Sequence, residues 1–371
     1  MFCAPDVFPC SGYEVWERDM VSLKKSIAAC EAGMRAALGA DLAEDDLAEK
    51  HRKMRKSPFL FLRATCWRWA ERAPELCPAL WSAPRAPSVG DAHAGNFGLW
   101  RDAQMRLVWG INDYDEAAHV PWPLDLVRLV TSVALSCPDA DVTDISEAAL
   151  ERYSAALGAP TAHVLERDHL WIRNAVAASD HERADFWKDL AAAPVADHVP
   201  PALDAALRRA LPEPGPDMRV ARRTAGAGSL GRPRFVLSGE YRGGPVAFEV
   251  KAWLPSCWVD GREPGLAEAM AHGRFRSPDP AQHYASDHTI RRLAPNSRKI
   301  EFGTFDADLR KKLVGAMAAE LAAVQAVEEP VRRAITADLT QRPAHWLAHA
   351  AALVADWTRG EYDSYRADSG G

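Results

Sequence analysis

Five polar side chains between Val89 and Arg128 have the types and spacing of a phosphoryl-transfer site. Asp91 is followed five residues later by Asn96. Asp113 ends an apolar run, Asp115 stands two residues beyond it, and Asp125 opens an apolar helix. Phosphoryl transfer asks a protein for positioning and charge neutralisation more than for covalent chemistry. One carboxylate must orient or deprotonate the accepting hydroxyl. Another, with an amide oxygen, must hold magnesium, which prefers hard oxygen ligands. Asp91 suits the first task, and Asn96 and Asp113 suit the second. Asp115 is a further ligand or an outer-shell acid. Taken singly, each residue reads equally well as part of a capped or solvated polar turn; it is the combination that points to chemistry.

The second half of the chain supplies what such a site lacks. Gly226-Ala-Gly228-Ser229-Leu-Gly231 is a G-x-G-x-x-G. A dinucleotide-binding turn of this type needs a strand before it and a helix after it. Strand-like residues follow here, so the motif reads as a loop between two strands, where glycines let backbone N–H groups approach phosphates. Lys251 ends a strand twenty residues after Gly231 and reads as a phosphate-contacting lysine. Glu268, on the next helix, is the expected carboxylate partner of Lys251, because Pro264 leaves Glu263 outside that helix. ATP and magnesium are the expected cofactors. Asp125 is either a helix N-terminal acid or the group that holds the Asp91 loop from behind, and His93 shapes that loop. His345 and His349 share a helix face without a third metal ligand. No Gly-x-Ser-x-Gly supports a serine hydrolase.

The elements that must position these residues read as helical, then mostly β, then helical. Helices are expected at Tyr13–Leu38, at Phe59–Arg72 after the Ser57-Pro58 start signal, and at Leu124–Leu135. Others follow at Val142–Leu157, Thr161–Ala178, His181–Ala192 and Pro201–Leu211. Between the first two, Ala40–Glu49 reads as acidic and solvated, and Lys50–Lys56 as an exposed basic face. Short strands are expected at Pro87–Gly90, Leu99-Trp100 and Arg106–Ile111. Pro212–Asp217 is a linker. After it come strands at Met218–Thr224, Arg234–Tyr241 and Pro245–Trp253, a helix at Gly265–Phe275, and strands at His288–Leu293 and Arg298–Phe302. Helices at Asp306–Val327, Glu329–Asp338, Ala344–Trp357 and Tyr362–Tyr365 close the chain.

The whole-chain balance, 48% hydrophobic and 26% charged, is an ordinary globular one. A net charge of −6 over 371 residues does not suggest a nucleic-acid partner. No apolar stretch is long enough to cross a bilayer, and Met1–Met20 lacks the pattern of a signal peptide. The seven cysteines are scattered and odd in number, with no Cys-x-x-Cys. Neither a disulfide framework nor a zinc ribbon is expected, and a reducing cytoplasm is the simplest compartment. The expected partners are a nucleotide and an unidentified small-molecule acceptor, with no nucleic acid and no membrane.

Ser57-Pro58-Phe59 with Leu62-Arg63, the run Gly90–Gly98, Asn112–Glu116, Pro121-Trp122, and Asp125 with Arg128-Leu129 resemble a bacterial family catalogued as domain of unknown function 2252. Gly228–Gly231 and Val250-Lys251 match its second half, so the resemblance runs over about Lys53 to Phe302. That family is similar to protein-kinase-like and aminoglycoside-phosphotransferase-like enzymes. The resemblance implies an α+β, two-lobed kinase-like fold. Its large lobe, residues 1–211, is mainly helical and carries the catalytic and metal-binding loops. Its small antiparallel β lobe, residues 218–302, has one helix and binds nucleotide. Residues 303–371 pack back on the large lobe. The order is reversed relative to an ordinary kinase, since the glycine loop and Lys251 follow Asp91 and Asp113, and this reads as a circular permutation. Val89 stands where many kinases have His or Tyr, and the Asp113 motif lacks the glycine of Asp-Phe-Gly. There is no activation-loop and Ala-Pro-Glu signature, which favours a small-molecule hydroxyl acceptor. A nucleotide-binding pseudokinase and nucleotidyl transfer by the same site remain as alternatives.

Overall fold

The computed structural model describes residues 21–211, 217–258, 264–296 and 302–368. The chain is mixed α+β, with helices predominating and the strands in three small antiparallel sheets. Helix α1 (Leu23–Leu38) starts at Ser22, whose hydroxyl accepts the Lys25 N–H, and stops at Gly39 in a positive-φ conformation. Helix α2 (Glu44–Met54) has three acids in its first turn and three basic residues in its last, the arrangement the helix dipole favours. The stretch from Ala40 to Glu49 is therefore not a solvated segment: Asp46 and Leu47 are buried.

Ser57 and Pro58 start α3 (Pro58–Ala64) as the sequence predicts. The expected single helix breaks at Thr65, whose hydroxyl donates back to the Phe61 carbonyl at 2.8 Å. The chain restarts as α4 (Cys66–Leu76), followed by α5 (Pro78–Trp81). Four strands follow: β1 (Arg85–Ser88), β2 (Phe97–Arg101), β3 (Leu107–Ile111) and β4 (Ala118–Pro121). β1 pairs with β4, while β2 and β3 form a hairpin between them. The Asp91 loop thus leaves one small sheet and enters another.

Helix α6 (Pro123–Ser136) is buried on nearly every face, so it is a core element rather than an amphipathic one. It lies among α7 (Val142–Gly158), α12 (Ala307–Gln325) and α14 (Trp346–Asp368). Leu126, Val130, Leu313, Leu321 and Val354 belong to this main core. The helix expected over Thr161–Ala178 is a correction. Its first part is the short strand β5 (His163–Val164), which pairs with β3, and only α8 (Leu170–Val176) is helical. Glu166 accepts the Leu107 N–H at 2.8 Å, a sheet-edge contact that overrides helical spacing. Helices α9 (Asp180–Ala192) and α10 (Pro201–Ala210) follow as predicted, α9 with a full capping box from Ser179 and Glu182.

The remaining strands are β6 (Arg219–Arg222), β7 (Arg234–Tyr241), β8 (Gly244–Ala252), β9 (His283–Tyr284) and β10 (His288–Leu293). They form one antiparallel sheet in the order β6-β7-β8-β10-β9. Helix α11 (Pro264–Ala271) lies between β8 and β9 in the chain. A second core joins this sheet to α10 through Leu207, Phe235, Phe248 and Val250. The expected strand over Arg298–Phe302 lies mostly outside the described residues, as does most of the Pro212–Asp217 linker. Helix α13 (Glu329–Gln341) precedes α14, which runs unbroken through both of the last two predicted helices. Among the described residues, no helix is long and apolar enough to cross a membrane.

Candidate active site

The loop after β1 is fixed by Asp125. Its carboxylate accepts the Val89 N–H at 2.8 Å and the Gly90 N–H at 3.0 Å, so Asp125 holds the loop from behind. Burial pushes this acid up to about 6, against the two backbone donors. Gly90 has φ +76°, and a Cβ there would lie 2.0 Å from the Glu116 carbonyl oxygen. The turn that presents Asp91 therefore requires glycine.

Asp91 follows directly. Its Oδ1 accepts from Arg128 Nε at 2.7 Å, and Arg128 also donates to the Leu62 carbonyl. Burial raises the Asp91 pKa, with Arg128 opposing. The Gly95 N–H donates to His93 Nδ1 at 3.0 Å, and Arg63 Nε donates to His93 Nε2 at 3.4 Å, which lies 3.7 Å from Asp91 Oδ2. His93 thus shapes the loop, as its position predicts.

Asn96 is oriented by its amide nitrogen, which donates to the Asp113 carbonyl at 3.0 Å and the Asp91 carbonyl at 3.4 Å. That settles which end of the amide is which. Its buried Oδ1 is left without a hydrogen-bond partner among the described residues. Asp113 stands beside it with its side chain 36% exposed, enough to accept a ligand. Burial opposes its charge, but Lys251 and Arg291 outweigh burial and hold the Asp113 carboxyl below the usual range.

Lys251 lies on β8 and reaches across to these acids. Its Nζ is 3.4 Å from Asp113 Oδ2 and in direct contact with Asp115 Oδ2. Arg232 also pairs with Asp115, at 2.9 Å, and with Glu116, at 3.1 Å. Burial, together with the Asp113 charge, pushes Asp115 up to about 6. The expected pairing of Lys251 with Glu268 is a correction. Glu268 accepts the Tyr284 N–H at 2.9 Å and lies against His283 and His272. Asp115, two residues from Asp113, is the acid that engages Lys251.

The glycine loop joins the antiparallel strands β6 and β7, not a strand and a helix. Gly226 and Gly231 have positive φ, and a Cβ on Gly231 would strike Met34 and Leu47. A Cβ on Gly228 would lie 3.0 Å from the Arg63 carbonyl and 3.9 Å from Asp91 Oδ2, so the loop passes beside Asp91. Ser229 accepts from Arg234. The Gly228 and Gly226 carbonyls take the ammonium groups of Lys50 and Lys53, each at 3.2 Å. The basic run is thus only partly an exposed face: Arg52, Arg55 and Lys56 are exposed, but Lys50 is buried, with its ammonium 4.8 Å from the Trp67 ring.

One cavity of about 530 Å³ opens among these groups. Asp91, Asn96, Asp113, Asp115, Gly226, Gly228 and Ser229 line it, whereas Gly231, Lys251 and Glu268 do not. Its walls also carry Lys50, Arg63, Arg223, Arg232, Arg234 and Arg291, none of which the sequence places at the site. Three of them converge on Glu249, a buried acid on β8 that accepts from Arg234 at 2.9 Å and Arg291 at 2.8 Å and contacts Arg223. A signal was present: Glu249 and Lys251 are charges at alternate positions of an otherwise apolar strand.

No curated protein and no solved structure matches the chain. The family model described as "Uncharacterized protein conserved in bacteria (DUF2252)" matches residues 42–193, which include Asp91, Asn96, Asp113 and Asp125 but not the glycine loop or Lys251.

Proposed function

We propose that the protein is an ATP- and magnesium-dependent phosphotransferase acting on a small-molecule hydroxyl. One observation carries this reading: Asp91, Asn96 and Asp113 from one half of the chain line one cavity with Gly226, Gly228 and Ser229 from the other half, and Lys251 pairs with Asp113 from behind that wall. The reading includes a two-lobed kinase-like architecture in permuted order. A glycine loop between the first two strands of an antiparallel sheet and a lysine on its third strand are the kinase phosphate-binding parts. A cavity of about 530 Å³ has the size of a small-molecule site.

The residues present fit magnesium. Asn96 Oδ1 is a buried acceptor without a hydrogen-bond partner among the described residues, and Asp113 is an ionised, accessible carboxylate beside it. These two hard oxygen donors would hold the ion, which neutralises phosphate charge when bound. Asp91, braced at Oδ1 by Arg128, orients the acceptor hydroxyl and takes its proton at Oδ2. The cationic wall and Lys251 bind the phosphates, and Asp125 keeps the Asp91 turn in place.

Single-turnover transfer from γ-labelled ATP into a cell extract tests the reading. Wild type labels a small molecule, and Asp91→Asn and Asp113→Asn do not. Equal labelling by all three proteins overturns the assignment. The mass added to the product separates phosphoryl from nucleotidyl transfer.

A further inference from the structure

Glu268 has no part in the cavity, and the contacts it does make are those of a different kind of site. It lies on α11, with His272 one turn further on and His283 on the edge strand β9. One ligand atom from each of the three lies within 4.8 Å of the others. His283 Nδ1 is 3.1 Å from Glu268 Oε1, and His272 Nε2 is 3.6 Å from the same oxygen. Ligands about 2.0–2.1 Å from a tetrahedral zinc ion stand roughly 3.3 Å apart, so little movement is needed to close on an ion.

The hydrogen bonding points the same way. His283 Nε2 is 3.1 Å from the Pro280 carbonyl oxygen, while Nδ1 faces the Glu268 carboxylate. A neutral imidazole carries one proton, so both contacts cannot be donated by it. With the proton on Nε2, held by Pro280, the Nδ1 lone pair aims at a carboxylate oxygen, an arrangement that either a second ring proton or a bound cation satisfies. A ring nitrogen donating to a backbone carbonyl while the other ligates is the usual support of a metal-bound histidine. Glu268 Oε2 is likewise braced, by the Tyr284 N–H at 2.9 Å. His272 Nε2 lies 2.9 Å from the Gln282 carbonyl and would exchange that contact for the ion.

We infer that Glu268, His272 and His283 form a site for a zinc-class divalent cation, separate from the nucleotide cavity. Two imidazoles and one carboxylate suit zinc and its transition-metal neighbours, not magnesium. The ion clamps α11 to β9. Tyr284, on that strand, accepts the Tyr114 N–H at 3.0 Å through its hydroxyl, so the clamp steadies the strand that supports the Asp113 loop.

The test is zinc binding by the full chain, in competition with a chromophoric chelator, alongside cobalt(II) absorption as a report of coordination. The His283 side chain is 55% exposed, so His283→Ala keeps the fold, which circular dichroism checks. Wild type is expected to bind one more equivalent than His283→Ala. His272→Ala and Glu268→Gln should weaken binding by roughly tenfold or more, at least the cost of losing an outer-shell support. The thiols are identical in every protein, so they cancel in the comparison. Equal stoichiometry and affinity in wild type and variants would reduce the cluster to a histidine–carboxylate ion pair and overturn the proposal.

Discussion

Glu249→Gln removes the acid on which three guanidinium groups of the cavity wall converge. Glu249 is buried, and so is Arg234, with its side chain 5% exposed, whereas Arg223 and Arg291 are 32% and 30% exposed. Removing one partner of a buried ion pair costs roughly 3–5 kcal/mol, because the remaining charge is left uncompensated. Arg223 and Arg291 are partly solvated and lose less, so the expected cost is near the lower end, about 3 kcal/mol. The sign with pH follows from the shift. Burial opposes the Glu249 charge, but Arg234, Arg291 and Arg223 prevail and hold its pKa well below the ordinary value. A depressed folded-state pKa contributes stability that is present above the unfolded pKa, near ~4.3, and is lost as pH falls. Urea unfolding at neutral pH should show a lower midpoint for Glu249→Gln at an unchanged slope. The gap from wild type should hold above about pH 5 and shrink below it. Tripolyphosphate should restore more stability to the variant than it adds to wild type, since the freed guanidinium groups line the cavity. A loss below about 1 kcal/mol would refute the reasoning that buried, uncompensated charge sets the cost.

Two further outcomes follow from the Asp91 turn. Gly90→Ala places a Cβ 2.0 Å from the Glu116 carbonyl at a positive φ, so thermal unfolding should report a loss of at least about 2 kcal/mol. An unchanged melting temperature would show that the turn can relax. With burial raising the Asp91 pKa, its activating ionisation lies above the ordinary value near ~3.9. The acid limb of the kcat/KM profile for phosphate transfer should show this displaced ionisation, and Asp91→Asn should abolish the limb.

The Asp91–Asn96 spacing, the Ser57-Pro58 helix start and the β7–β8 hairpin are local, and each is visible in a few adjacent residues. The reach of Lys251 to the Asp113 loop was legible only as a requirement, because the two lie 138 positions apart. What the sequence could not carry was partner choice. Asp115 and Glu268 are both acids within reach by spacing, and only the meeting of β8 with the Asp113 loop selects Asp115. Thr65 reads as an ordinary residue inside an apolar helix, yet its bond back to Phe61 accompanies the break between α3 and α4. The lysines of α2 looked solvated because a charge run is usually an exposed face. Their carbonyl partners, Gly228 and Gly226, come from a loop more than 170 positions away.

The most direct test of the central claim is equilibrium binding of a non-hydrolysable ATP analogue, with and without magnesium, to wild type, Asp113→Asn and Lys251→Met. If Asp113 and Lys251 meet on one nucleotide, magnesium tightens binding to wild type, Asp113→Asn loses that dependence, and Lys251→Met binds more weakly with magnesium present. The claim is contradicted if the analogue does not bind, or binds all three proteins equally whether or not magnesium is present.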